Sequence, residues 1–247
     1  VPVHLFGQSA DMESIMEFAR IYGLFVIEDN AQALGADFMP PGGRKQKAGT
    51  IGHLGTTSFF PSKNLGAFGD GGALFTNDDS FGKRAASLVN HGMQKRYHYD
   101  HVGVNSRLDT LQAAILRVKL KHLDEYHRLR QEAAAWYDTS LSGIDGIQIP
   151  ARSPFTTHIF HQYTLQVHGS RRDALQHWLM EKGVPSQVYY PVPLHLQRAY
   201  SDLGYREGDL PVSEGLCSKV LSLPMHTEME TVQLEYISEQ VQQFFKS

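Results

Sequence analysis

Cysteine is almost missing: Cys217 is the only one in 247 residues. That excludes an internal disulfide and a cysteine-built zinc site. A chain so poor in thiols reads as one made for a reducing compartment, so a cytoplasmic location is expected. A charge excess of one sign is missing too. With 23 basic against 26 acidic residues, the chain lacks the positive field that nucleic acid or an anionic membrane surface would require, and neither is expected as a partner. No apolar run approaches the ~18 residues needed to span a bilayer. No Met and no charged leader precede the opening VPVHLFG, so no signal peptide is read. A chain that opens directly on strand-like apolar residues reads as one whose upstream residues are missing.

Two families of motif are also lacking. The glycines of the chain match neither G-x-G-x-x-G at a strand-to-helix turn nor G-x-x-x-x-G-K-[ST], so no dinucleotide or ATP site is indicated. Thirteen histidines are present, but His91, His98, His101 and His122 are scattered and no H-E-x-x-H occurs, so no metal site is expected.

What remains is an ordinary globular balance, 41% hydrophobic and 20% charged, enough to bury a sizeable core. Val1–Phe6 reads as a strand, Asp11 caps a helix to about Tyr22, and Leu24–Ile27 reads as a second, buried strand ending at Glu28-Asp29. Strand, helix and strand within about 30 residues form a βαβ unit with parallel strands. Further strands are predicted at 55–60 and 72–76, and a helix at 81–90. A long one-sided helix is predicted over 107–135, with Leu108, Leu111, Ile115, Val118 and Leu123 on its buried side. Beyond Trp136 turn residues multiply. A strand at 161–168, helices at 171–182 and from 228, and a Pro-rich loop at 191–194 complete the reading. The fold class is α/β: one α/β domain over 1–125, then a smaller α+β domain over 126–247.

The chemistry centres on SFFPSKNLGAFGDGGA, Ser58–Ala73. Lys63 follows an apolar run and precedes Gly66, Gly69, Gly71 and Gly72. As a loop residue it is an ordinary surface lysine. Held in a semi-apolar site it loses part of its preference for the charged form and becomes an amine able to attack a carbonyl. The glycines favour the second reading, since they let the backbone turn sharply and pass close to a ligand. Asp29, at the carboxyl end of a parallel strand, either caps a turn or faces the ligand such sheets bind there. Ser58 is a strand residue able to hydrogen-bond a phosphate. The stretch Tyr97-His98-Tyr99 reads as a mobile loop at a site entrance or as plain surface aromatics.

Four blocks, IEDNAQALGA (27–36), TSFFPSKNLGAFGDGGA (57–73), GVNSRLDTLQAAIL (103–116) and YYPVPLHLQ (189–197), resemble in sequence and order the DegT/DnrJ/EryC1/StrS family of sugar aminotransferases. The resemblance implies a pyridoxal phosphate enzyme of fold type I. Its three-layer large domain is built on a mixed, mainly parallel sheet, of which 1–125 would be the remainder, and 126–247 would be the small domain. It implies that Lys63 forms the Schiff base and shuttles the proton. It sets Asp29 against the pyridine nitrogen, Gln32 beside the ring and Ser58 on the phosphate. Asn105 would reach the phosphate of a neighbouring subunit, making a homodimer with shared sites. Some members of the family carry histidine in place of the lysine and act as dehydratases; lysine here implies transamination. The expected substrates are L-glutamate and a nucleotide-linked keto sugar, and the look of the lysine block is nearest to enzymes that aminate C3 of a UDP-linked 3-keto-hexuronic acid. That chemistry belongs to polysaccharide or O-antigen biosynthesis.

Arg107 then reads as a grip for a uronate or glutamate carboxylate, or as a helix-start arginine paired with Asp109. Tyr189, Tyr190 and His195 line a loop that the resemblance places near the sugar nucleotide, although histidine is commoner than tyrosine at position 189. A relative with the ring contacts but no catalysis, acting in regulation or structure, is the alternative. The family's Gly-Ser or Gly-Thr phosphate turn and its ring-stacking aromatic lie upstream of a segment like VPVHLFG. The 247 residues alone are therefore expected to bind the cofactor weakly.

Overall fold

The computed structural model describes residues 1–246, which separate into two compact units. The first comprises Val1–Arg128 and Arg152–His161, the second Leu129–Ala151 and Gln162–Ser247. The sequence reading cut the chain once, after residue 125. Instead the chain returns, because 152–161 finds its backbone partners in the first unit. Thr156 bridges Phe38, His158 bridges Gln8, and the Ile159 amide donates to the Gly7 carbonyl at 2.9 Å.

In the first unit Asp11 caps α1 (Met12–Tyr22), its carboxylate accepting from the Ser14 amide at 3.3 Å. Met12 and Ala19 on α1 bury against Val26 and Phe38. The strands β1 (Ile27–Asp29), β4 (Leu54–Ser58) and β5 (Gly72–Phe75) form a mixed sheet in the order β1-β4-β5. The first pair is parallel, with Asp29 opposite Thr56; the second is antiparallel, with Ser58 opposite Gly72. Between β1 and β4 lies a small hairpin, β2 (Asp37–Phe38) and β3 (Gln46–Lys47), where Lys45 and Lys47 clamp Asp37 at 2.8 Å each. Then come α2 (Asp79–Leu88), the hairpin β6 (Met93–Lys95) and β7 (His98–Tyr99), and α3 (Thr110–Lys119).

Three readings needed correction. Val1–Phe6 is no strand: Val3 makes one parallel bridge to Asp29, and the chain then enters a 3₁₀ turn at Leu5–Gly7. The groups that would build a ladder are used elsewhere, for the Phe6 amide donates to Gln32 and its carbonyl accepts from His161. The second strand starts at Ile27, because Leu24 and Phe25 are exposed rather than buried. The long helix is broken by a 3₁₀ turn at Leu120–His122 and resumes as α4 (Leu123–Leu141), and Leu111 and Val118, read as lying on its buried side, are exposed.

The second unit carries an antiparallel sheet, β10-β9-β8, from β8 (Ile147–Gln148), β9 (Tyr163–Val167) and β10 (Val220–Leu223). The alternation read in HQYTLQVH holds: Tyr163, Leu165 and Val167 are buried and the residues between them less so. Tyr163 packs on Tyr137, whose hydroxyl donates to the Pro224 carbonyl at 3.0 Å. Helices α5 (Arg172–Glu181), α6 (Pro211–Cys217) and α7 (Thr231–Lys246) complete it, α5 and α7 being tied by the Trp178 indole N–H on the Gln240 carbonyl. Among the described residues no helix is long and apolar enough to cross a membrane.

Candidate active site

Six of the predicted residues lie in the first unit. Asp29 ends β1 and Ser58 ends β4, so two adjacent parallel strands deliver both to the same carboxyl edge of the sheet. Asp29 is half-buried. One carboxylate oxygen accepts from the Ala31 amide at 3.1 Å, and its side chain has no further partner among the described residues. Ser58 Oγ accepts from the Phe60 amide at 3.2 Å, which leaves the hydroxyl hydrogen to donate elsewhere. Gln32 turns its side-chain oxygen to the Phe6 amide at 2.7 Å, which fixes the orientation of the amide group.

Lys63 sits in the turn that follows β4, its amide donating to the Phe60 carbonyl at 2.9 Å. Its side chain is half-buried, and among the described residues its amine has neither hydrogen bond nor ion pair. Burial holds the amine below the ordinary lysine range, and the Asp29 carboxylate partly offsets this. Asp29 is thus near enough to act on the amine through space without forming a contact ion pair. A surface lysine in a loop would show neither feature.

Two of the glycines after Lys63 make the sharp turn expected of them. A Cβ on Gly66 would stand 2.3 Å from the Pro61 carbonyl oxygen, and one on Gly72 2.7 Å from that of Thr57. The obstacle in each case is the chain's own backbone, so glycine at these two positions lets the turn close on itself.

Asn105 and Arg107 are exposed. The Arg107 Nε–H donates to Asn105 Oδ1 at 3.0 Å, and no ion pair joins Arg107 to Asp109. The Asn105 amide nitrogen and the two terminal guanidinium nitrogens have no hydrogen-bond partner among the described residues.

The other three predicted residues belong to the second unit. Tyr189 is half-buried and Tyr190 exposed, their rings edge to face. His195 is 8% exposed, and its Nε2 meets Glu214 Oε1 at 2.9 Å. That same carboxylate accepts from the Gly208 and Leu210 amides. The imidazole is a strut between the Pro-rich loop and α6.

One residue beside the site escaped the sequence reading. Glu28 is fully buried, and its carboxylate accepts from His4 Nε2 at 2.7 Å and from the amides of Gly49, Ile51 and Gly52 at 2.7, 2.6 and 2.5 Å. His4 Nδ1 accepts from the Ala10 amide at 3.1 Å, so Nε2 carries the ring proton and the imidazole is neutral. Burial opposes the charge of Glu28, but these donors outweigh it and hold the carboxyl below its usual range. A glutamate inside an apolar strand was the available signal.

Comparison with known proteins shows the family. The profile of the DegT/DnrJ/EryC1/StrS aminotransferase family matches residues 1–242. A pleiotropic regulatory protein of Geobacillus stearothermophilus is 44% identical over all of this chain and 65% of its own length. The UDP-2-acetamido-2-deoxy-3-oxo-D-glucuronate aminotransferase of Pseudomonas aeruginosa is 43% identical over 96% of this chain and 63% of its own. The crystal structure of S. venezuelae DesV, in complex with a ketimine intermediate, superposes with a TM-score of 0.93 at 39% identity, over 99% of this chain and 64% of that one. The chain thus spans less than two thirds of the length of these relatives. With the family profile matched from the first residue to 242, and the fold shared with DesV, the chain belongs to the DegT/DnrJ/EryC1/StrS aminotransferase family.

Proposed function

We propose that this chain is the main part of a pyridoxal phosphate-dependent aminotransferase. It would move the amino group of L-glutamate to a nucleotide-linked keto sugar, with a UDP-linked 3-keto-hexuronic acid as the substrate class, in polysaccharide or O-antigen biosynthesis. The observation that carries the reading is Lys63: a half-buried amine with no acceptor of its own, facing Asp29 at the carboxyl edge of parallel strands.

The residues fit the cofactor. Asp29 keeps a carboxylate oxygen for a protonated pyridine nitrogen, Ser58 keeps a hydroxyl hydrogen for a phosphate, and Gln32 is oriented beside them. Asn105 would serve the phosphate of a second copy, so the reading includes a homodimer with shared sites. The cofactor, when bound, supplies a ring that takes up the electron pair left as a substrate C–H bond breaks. Asp29 favours the charged form of that ring. Lys63 would hold the cofactor through its amine and, when that amine is free, would serve as the base that takes the proton from the substrate carbon. Its low proton affinity matches this task, since an amine that is always charged takes no proton. Glutamate leaves as its 2-oxo acid and the sugar carbonyl carbon gains the amino group, so no outside oxidant is required.

The two terminal nitrogens of Arg107 form a fork suited to a carboxylate. Together with the 43% identity to a 3-oxo-glucuronate aminotransferase, that fork supports an acidic sugar. Tyr189 and Tyr190 offer ring faces for a base or sugar. His195 contributes by holding their loop through Glu214.

Borohydride reduction in the presence of pyridoxal phosphate, followed by peptide mass spectrometry, tests the reading. An adduct on Lys63, absent in Lys63→Ala, with an absorbance band that shifts on adding glutamate, is the expected result. Reduction catches even weakly held cofactor. No adduct on Lys63 overturns the assignment, and an adduct whose band ignores glutamate points to the non-catalytic alternative.

A further inference from the structure

The Lys63 amine has no polar partner of its own among the described residues, so the path of the backbone decides where it stands. Downstream, the turn is held by Leu65 and Ala67, buried with Leu116 and Leu123, and by the Lys119 ammonium on the Gly66 carbonyl at 2.5 Å. Directly beside Lys63 the hold is polar. Asn64 is 9% exposed, its amide nitrogen donates to the Ile159 carbonyl at 3.2 Å, and its Oδ1 faces His161 Nδ1 at 3.3 Å. Since the Asn64 oxygen is an acceptor, the His161 Nδ1 carries the hydrogen of that bond.

The returning segment that supplies both partners is itself fixed. The His161 amide donates to the Phe6 carbonyl at 2.9 Å, and the Phe6 amide donates to Gln32 Oε1 at 2.7 Å. A continuous run of bonds therefore joins Gln32, Phe6, His161 and Asn64, and ends one residue from Lys63. Burying an asparagine costs free energy that an aliphatic side chain would not. What the asparagine adds is direction, because both ends of its amide are satisfied in only one orientation of the backbone.

We propose that Asn64 and His161 are positioning residues for Lys63: their bond to each other, and that of Asn64 to Ile159, aim the amine into the half-buried place beside Asp29. The inference rests on the reading of Lys63 as the cofactor-binding amine.

Its test reads the amine in the cofactor-free chain. Acetic anhydride labelling across pH, resolved by peptide mass spectrometry, compares Lys63 with exposed Lys83 as an internal reference. In the native sequence Lys63 is expected to become reactive at a lower pH than Lys83. In Asn64→Ala and His161→Ala its midpoint should rise as the amine swings into water and loses the burial that lowers it. The rate of adduct formation with pyridoxal phosphate should fall on the order of tenfold to a hundredfold. His161→Asn, whose amide N–H can stand in for Nδ1–H, should restore most of both. Should Asn64→Ala not fold, Asn64→Asp keeps the bond to His161 and loses that to Ile159, and carries the same expectation. Variants with native circular dichroism and an unchanged Lys63 midpoint and adduct rate overturn the positioning role. Absence of any adduct in the native chain overturns instead the reading on which it rests.

Discussion

Acid should weaken this protein through one histidine. His158 is 8% exposed, its Nδ1 accepts from the Phe160 amide at 3.1 Å, and its ring stacks on Phe160 at 3.8 Å between centroids. Burial, reinforced by the nearby Arg152 guanidinium, pushes its pKa down to about 3 from 6.5. The folded protein therefore holds this imidazole neutral where the unfolded chain binds a proton, and stability must fall as pH drops from 6.5 towards 3. At pH 5 the unfolded imidazole is almost wholly charged and the folded one almost wholly neutral. The resulting loss relative to pH 8 is about 2 kcal/mol. Glu28 and Asp37, both held below their usual ranges, act in the same direction but only at lower pH, below the ordinary carboxylate values. Work at pH 5 and above sets these carboxylates aside, and comparison with a variant lacking His158 isolates the histidine. Two measurements check this. The His158 ring signal in a proton NMR titration should stay at its neutral position down to pH 5. Urea unfolding at pH 8 and pH 5 should show a loss larger by about 2 kcal/mol in the native sequence than in His158→Asn, which keeps an acceptor for the Phe160 amide without titrating. A ring that titrates near 6.5, or equal pH dependence in the two proteins, refutes the reasoning.

Glu28→Ala would leave three buried backbone amides and His4 unanswered and should cost about 3–5 kcal/mol, read as a lowered urea midpoint. A loss below about 1 kcal/mol would mean that water replaces the carboxylate. Gly55→Ala would set a Cβ 1.9 Å from the Gly49 carbonyl oxygen, and the expected outcome is a loss of about 3 kcal/mol or more, or no soluble protein; a native midpoint would contradict it. Lys63→Met removes a desolvated amine that bonds to nothing, so the urea midpoint should hold or rise while the borohydride adduct disappears. A clear drop in midpoint would make Lys63 a structural residue.

Much of the site was legible because its chemistry is local. Asp29 and Ser58 each end a short strand, and a strand end is visible as an apolar run stopping at a polar residue. The long-range parts were not. Whether 1–6 is a strand depends on what Phe6 bonds to, and its partners are Gln32 and His161, which no periodicity announces. The return of 152–161 to the first unit has the same cause, for its ties to Gln8, Phe38 and Gly7 span more than a hundred residues. The break at 120–122 fell inside an apolar pattern that continues through it, so the pattern alone could not locate it. The glycines after Lys63 were read by composition, which announces a turn but not the atoms each glycine must avoid: backbone at Gly66 and Gly72, side chains at Gly69 and Gly71.

The adjacent pair Glu28-Asp29 shows how structure separates a carboxylate that builds from one that acts. Alternation along β1 sends the two side chains to opposite faces. Glu28 goes inward, where four donors meet it, and nothing about it is left to give. Asp29 satisfies one oxygen on its own turn and keeps the other, half-buried, beside an amine that has likewise no bond of its own. Saturation of hydrogen-bonding capacity predicts a structural role, while a desolvated group left unsaturated costs stability that only a ligand recovers. The same criterion sorts the rest of the site. His195, bound to a Glu214 that also closes the start of α6, falls with Glu28. Lys63 and the Ser58 hydroxyl hydrogen fall with Asp29. Asn64 stands between the two groups: saturated itself, it lies next to the unsaturated Lys63, and that placement is what makes it a device for aiming the lysine.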